Sequence, residues 1–112
     1  SVSIYGLTQT NNQAPSGEGD TALVNSLLQQ SKEHFGDDPA QSINFAIQAK
    51  ELAEKINFTK GKAYAYKNIG LGYYYQGKYL ETLGYWNESL DIFRQLKDDL
   101  GVANLLNNIA AI

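Results

Sequence analysis

The amino-acid sequence predicts an all-α fold made of antiparallel helix-turn-helix repeats stacked one on another. Asn68-Ile69-Gly70 recurs forty positions later as Asn108-Ile109-Ala110. From position 20 onward, apolar residues recur every three or four positions, which is the spacing of one helix face. A fixed offset of this size is typical of repeat proteins, in which each helical pair buries its apolar face against the next pair.

Composition argues against several function classes before any motif is considered. The 112 residues are 43% hydrophobic and 19% charged, as expected for a globular domain. A net charge of −3 and a pI near 5.0 supply no broad basic surface, so we expect no nucleic-acid partner. The chain lacks cysteine, which removes disulfides and thiolate chemistry. Its apolar runs are shorter than the about 18 residues that cross a bilayer, so we expect no membrane contact.

The first twenty residues differ from the rest. Positions 8–19 are polar, contain proline and glycine, and show neither helical nor strand periodicity. We predict a flexible leader over residues 1–20, with a short strand or docked arm near its start as the alternative. The chain begins with Ser1 and contains no methionine, so we interpret it as part of a longer protein. Its compartment, cytoplasmic or periplasmic, stays open.

The first predicted hairpin follows the leader. Its opening helix begins at a cap formed by Asp20 and Thr21 and ends at Gly36. The second helix begins at Asp37-Asp38-Pro39, because an aspartate can cap a helix and proline suits the first helical position.

Three further helices complete the chain. The third begins near Gly61 and ends at Gly77, the fourth spans 79–96, and the fifth begins near Gly101 and continues to the end of the chain. Each connection is short, so neighbouring helices are expected to be antiparallel.

A longer motif occupies the third and fourth helices. Its positions are Ile69-Gly70, Tyr73, Gly77, Tyr79, Thr82, Trp86 and Ser89. This spacing resembles the tetratricopeptide repeat, which has a Leu-Gly pair, a tyrosine three residues later, and small and aromatic residues at fixed distances. Thr82 and Ser89 stand where that family usually has alanine. Arg94 takes the place of its closing proline, so we expect a repeat lengthened to forty residues.

The resemblance implies a right-handed tetratricopeptide solenoid with units at 21–60, 61–100 and 101–112. The first unit is divergent, since its opening helix lacks the Leu-Gly pair and needs a one-residue slip. The third contains only its opening helix. Similar arrays are joined to sensor kinases and nucleotide cyclases in bacteria. The resemblance therefore also implies a protein-binding or sensory segment of a larger signalling protein.

The asparagine before each Ile-Gly or Ile-Ala pair predicts a binding surface. Stacking would place the amides of Asn68 and Asn108 on one face, where an amide can both donate to and accept from a peptide backbone. In long-repeat relatives such as the kinesin light chains, asparagines at this place hold bound peptides, and the resemblance implies that role here. Alternatively, each asparagine bonds its neighbouring helix and only orders the stack.

The predicted site is a concave groove that binds a protein or peptide segment. Its further members are Tyr64, Lys67, Leu71, Tyr74, Asn104 and Asn107. A clamp for a C-terminal carboxylate would need more cations than Lys67, so we do not expect one. Three consecutive tyrosines cannot all point inward, and we expect Tyr74 to be the exposed member of Tyr73-Tyr74-Tyr75.

Catalysis has little support in the sequence, and we expect no enzyme activity, no cofactor and no metal. His34 is the only histidine and lies near a predicted helix end. The pairs Asp37-Asp38 and Asp98-Asp99 precede predicted helices, so capping explains them better than metal binding. Gly70-Leu71-Gly72 lacks the third glycine of the dinucleotide fingerprint.

Self-association or scaffolding without a peptide ligand is the alternative function. The fifth helix carries an apolar face formed by Val102, Leu105, Leu106, Ile109 and Ile112. No second helix of the same unit covers this face, so it is expected to dimerise, swap or bind another helix.

Overall fold

A computed structural model describes residues 18–112, which form five α-helices and no strand. They are α1 (Glu18–Glu33), α2 (Pro39–Lys55), α3 (Thr59–Tyr75), α4 (Tyr79–Gln95) and α5 (Asp99–Ala110). The all-α prediction is therefore confirmed for this part of the chain. The predicted leader lies outside the described residues except for positions 18–20, which belong to α1. None of the five helices is long and apolar enough to span a membrane.

The helices pack in sequence order, and α1 also contacts α3. From α2 onward they begin at positions 39, 59, 79 and 99, so each helix with its turn occupies twenty residues. The forty-residue recurrence is thus two helix-turn units of equal length. Packing along one direction gives a flat, elongated body of 50 × 33 × 17 Å.

The turns after α2, α3 and α4 share one geometry. Asn57, Gly77 and Lys97 each follow the last helical turn with a positive φ, of 59°, 77° and 56° respectively. The next N–H then donates to the carbonyl five residues earlier, over 2.8–2.9 Å in all three turns. This arrangement caps the helix C-terminus and sends the chain back antiparallel. Gly77 was predicted to end α3; Asn57 and Lys97 adopt the same conformation less easily.

Aspartates cap two of the following helices, as predicted. Asp38 Oδ1 accepts a hydrogen bond from the N–H of Gln41 at 3.2 Å, and Asp98 Oδ1 accepts one from the N–H of Gly101 at 3.0 Å. Three helix starts differ from the predictions. Helix α1 begins before its predicted cap. Helices α3 and α5 begin two residues before Gly61 and Gly101, because in both cases helical geometry resumes soon after the left-handed turn residue, Asn57 or Lys97.

The core consists of three clusters of buried side chains, each shared by consecutive helices. Between α1, α2 and α3 lie Val24, Leu28, Ala49, Ala53 and Ala65. Between α2 and α3 lie Ile43, Ala46 and Ile69. Between α3, α4 and α5 lie Ala63, Trp86, Leu90, Phe93 and Leu105.

Helix α4 is locked onto α3 where Gly70 leaves room for Trp86. A Cβ atom at Gly70 would collide with the indole ring of Trp86. The indole Nε1 donates to the carbonyl of Lys67 at 3.1 Å, and Ser89 Oγ donates to the carbonyl of Ala63 at 2.7 Å. These bonds fix the part of α3 that carries several of the predicted site residues.

Candidate functional site

A cleft of about 270 Å³ lies between α1 and α3. The α1 side and the turn after it supply Asn25, Leu28, Gln29, Lys32 and Phe35. The α3 side supplies Tyr64, Lys67, Asn68 and Leu71. Four of the eight predicted binding residues therefore lie together on one wall of a real cleft.

Asn68 joins the two walls. Its side-chain Nδ2 donates to the carbonyl of Leu28 at 3.3 Å, and the residue is only 5% exposed. The expectation of an open amide is thus wrong for Asn68, which bonds the neighbouring helix as the alternative interpretation predicted. A buried hydrogen bond of this kind sets the spacing of α1 and α3.

Two lysines face the cleft from opposite walls. Lys67 on α3 is partly buried, and this burial, together with the nearby Lys32 ammonium on α1, lowers the pKa of Lys67. No acidic residue lines the cleft. The ion pairs within residues 18–112 use other cations, and residues 1–17 contain no acidic side chain. Among residues 18–112, neither Lys32 nor Lys67 therefore forms an ion pair.

Amides and aromatic rings complete the lining. Asn25 is exposed and Gln29 is exposed, so both amides are accessible from solvent on the α1 wall. Tyr64 is 38% exposed and meets Phe93 edge to face, with ring centroids 5.2 Å apart. Phe35 stacks on Tyr75, which ties the turn after α1 to the end of α3. The surface offers hydrogen-bond donors, two cations and apolar contacts.

Tyr74 does not line this cleft. Its ring packs near Trp86 and Tyr79, with centroid distances of 6.2 and 5.5 Å, and the residue is half-buried. The exposed member of the three tyrosines is Tyr75, at 54%. The expectation for Tyr74 is therefore wrong: its place in the α3–α4 packing turns it inward.

The asparagines of α5 also lie outside the cleft. Asn104 and Asn107 are exposed and Asn108 is half-buried, all on the helix that follows α4. The cleft therefore contains four of the eight predicted residues.

The apolar face of α5 is partly covered, contrary to the prediction. Leu105 is fully buried, and Val102 and Ile109 pack against the cluster that contains Trp86. Leu106 and Ile112 stay 44% and 45% exposed. The preceding hairpin therefore covers one side of α5, and only its other side is open.

The sequence predictions missed the whole α1 wall. Asn25, Gln29 and Lys32 repeat at four and three residues, which places them on one face of a helix. That signal was available, but α1 belongs to the divergent unit, where the tetratricopeptide pattern assigns no positions.

The remaining polar candidates lie elsewhere. His34 Nδ1 is 3.3 Å from Asp37 Oδ1 in the turn after α1, and the imidazole stacks on Phe45. Within residues 18–112, no group of three or more histidine, cysteine, aspartate or glutamate side chains is arranged to hold a metal ion.

Comparison with known proteins adds no relative: no protein-family model matches the chain, and no curated protein or solved structure is significantly similar to it. The resemblance to tetratricopeptide repeats stays a prediction.

Proposed function

We propose that the chain is a non-catalytic, tetratricopeptide-type module that binds a peptide segment bearing an acidic side chain in the cleft between α1 and α3. The observation that carries the proposal is the pair of facing lysines, Lys32 and Lys67, in a cleft lined by no acidic residue. A ligand carboxylate supplies the charge that the cleft lacks.

The electrostatic state of Lys67 supports an anionic ligand. Burial and the Lys32 ammonium both disfavour the charged form of Lys67, which is why its pKa is lowered. A carboxylate placed between the two ammonium groups reverses the second effect and adds charge-assisted hydrogen bonds. An apolar or basic side chain in the same place would leave both lysines uncompensated.

The other lining groups suit a peptide main chain. Asn25 and Gln29 present amides that can both donate and accept, and Tyr64 and Leu71 present apolar surface beside Lys67. Asn68 contributes by holding the walls together through Leu28. Peptide selectivity in this proposal comes from the acidic side chain, and main-chain contacts add affinity.

Repeat geometry supports the tetratricopeptide-type description. The equal helix-turn lengths, the Gly70–Trp86 contact and the packing of α1 on α3 are what stacked helix-turn-helix units of this type would show.

Selection from a displayed random-peptide library tests the proposal. We expect the wild-type chain to enrich peptides containing aspartate or glutamate, with affinities that weaken as salt is added. Lys32→Gln/Lys67→Gln should lose this enrichment. Lys55→Gln/Lys97→Gln is the matched control, since it removes the same charge from exposed lysines outside the cleft.

Three outcomes would contradict the proposal: no enriched sequence, enrichment without acidic residues, or equal effects of the two double variants. Circular dichroism of both variants must match that of the wild-type chain, so that a loss of binding reports on the cleft and not on unfolding.

A further inference from the structure

Lys67 combines partial burial with the lack of a carboxylate partner among residues 18–112. It lies on the α3 wall of the cleft, which leaves about 270 Å³ of space beside it. The other two partly buried lysines of this part of the chain, Lys50 and Lys62, each lie 3.2–3.9 Å from a carboxylate oxygen. The remaining lysines of residues 18–112 are exposed. Lys67 is therefore the one partly buried amine in residues 18–112 whose charge is not balanced by a neighbouring carboxylate.

The surroundings of Lys67 favour its uncharged amine. Burial removes water from the ammonium form and the Lys32 ammonium on α1 repels it, so both lower the pKa of Lys67. Within the described residues, the other titratable side chain that lines the cleft is Tyr64, one turn earlier on α3. An uncharged lysine amine has a free electron pair and is a nucleophile.

The charge of the cleft decides which electrophile suits this amine. A neutral acyl group would convert Lys67 into an uncharged amide and leave the Lys32 ammonium unpaired. Carbon dioxide converts an amine into a carbamate, which is an anion. The Lys32 ammonium that repels the charged amine would then attract the product. Asn25 and Gln29 lie on the same wall as Lys32, and their exposed amides offer N–H donors for the carbamate oxygens.

We propose that Lys67 is a site of reversible carbamate formation by carbon dioxide, with the anionic product held by Lys32 and the amides of α1. The Nζ electron pair forms a bond to the carbon of carbon dioxide, and one carbon–oxygen π pair moves onto oxygen. The nitrogen then releases a proton to water. The reaction needs no other reagent, and loss of carbon dioxide with return of the proton reverses it.

Carbamate formation would regulate the cleft, and this consequence alone rests on the proposed function. The carbamate occupies the place of a ligand carboxylate and repels it, because the charge at Lys67 has become negative. We expect an acidic peptide selected on the chain to bind about 10-fold more weakly at saturating carbon dioxide, since one attraction is replaced by a repulsion.

Carbon nuclear magnetic resonance under isotope-labelled carbon dioxide tests the modification itself. The α-amino group of the chain is first acetylated, because a free α-amine also forms carbamates. In mildly alkaline buffer we expect a single carbamate resonance that grows with carbon dioxide pressure. Ethylation of the carbamate with a trialkyloxonium salt, followed by mass spectrometry of peptide fragments, should place it at Lys67.

Two matched variants separate the cleft from lysines in general. Lys32→Gln should lower the carbamate occupancy about 5-fold, because it removes both the repulsion that frees the amine and the cation that holds the product. Lys55→Gln changes an exposed lysine outside the cleft and should leave the occupancy unchanged. Circular dichroism should show that both variants are folded like the wild-type chain.

Three results would overturn the proposal: no carbamate resonance, carbamates spread evenly over the exposed lysines, or equal effects of Lys32→Gln and Lys55→Gln. None of these measurements uses a peptide. The carbamate is therefore confirmed or refuted whatever the peptide selection shows.

Discussion

Two glycines inside helices should respond in opposite directions to the same substitution. At Gly70 in α3, a Cβ atom would collide with the indole of Trp86, which is only 2% exposed. At Gly84 in α4, nothing lies within 4 Å of the position a Cβ would take. We therefore predict that Gly84→Ala stabilises the chain and that Gly70→Ala destabilises it.

The magnitudes follow from three effects. Replacing a helix-interior glycine by alanine stabilises by about 1 kcal/mol, which is the whole effect at Gly84. At Gly70 overpacking costs about 1–3 kcal/mol, and displacing the indole of Trp86 weakens its bond to the Lys67 carbonyl by about 1 kcal/mol more. After the helix gain is subtracted, Gly70→Ala should lower the free energy of unfolding by about 1–3 kcal/mol.

Urea unfolding followed by far-ultraviolet circular dichroism measures both free energies on one scale. The free energies of unfolding of the two variants should differ from each other by about 2–4 kcal/mol, with Gly84→Ala above the wild-type chain and Gly70→Ala below it. If Gly70→Ala proved as stable as the wild-type chain, the account of the α3–α4 crossing would be wrong. A destabilised Gly84→Ala would refute the assignment of open space at that position.

Three further predictions concern a turn, the asparagines and an acidic cap. Lys97 has a φ of 56°, so Lys97→Gly should raise the free energy of unfolding by about 0.5–1 kcal/mol in urea. Asn68→Ala should lower the free energy of unfolding by about 1–3 kcal/mol, because it removes a buried hydrogen bond. Asn108→Ala should change it by less than about 0.5 kcal/mol, since Asn108 is only half-buried. Equal losses for the two variants in thermal unfolding would contradict this. The hydrogen bond from the N–H of Gly101 lowers the pKa of Asp98, although burial acts in the opposite direction. Ionised Asp98 therefore stabilises the folded chain above the ordinary carboxyl pKa, and this stabilisation is lost as pH falls through the lower pKa of the folded state. Asp98→Asn, which keeps a cap acceptor, should flatten this acid-side decline in urea titrations at several pH values.

The helices were predictable from sequence because their causes are local. The Asp38 and Asp98 caps, the glycine at position 77 and the three-to-four-residue apolar spacing all act within a few residues. The turn conformation at Lys97 was missed, since lysine has no preference for a positive φ, and only the twenty-residue spacing of the turns indicates it.

Only the α3 wall of the candidate site was predictable from the sequence, because the α1 wall depends on a contact between distant residues. Tyr64 and Lys67 were found from their place beside Asn68 on one helix. Lys32 meets Lys67 only because α1 packs on α3, a contact between residues 35 positions apart that no local pattern reports.

Exposure on single helices was the least predictable property. Whether Tyr74 or Tyr75 points outward depends on the rotation of α3 against α4, which is set by the contacts of Trp86. Leu105 was expected to be open because the helix pairing it within its own unit was lacking, yet the preceding hairpin buries it completely.

The side-chain pKa of Lys67, measured by nuclear magnetic resonance with and without a bound acidic peptide, tests the central claim most directly. Lys67 should titrate below the ordinary lysine pKa in the unbound chain, because of burial and Lys32. Binding of a library-selected acidic peptide should raise that pKa. A peptide that binds and leaves the Lys67 pKa where it was, or lowers it, would contradict an anion-binding cleft between α1 and α3.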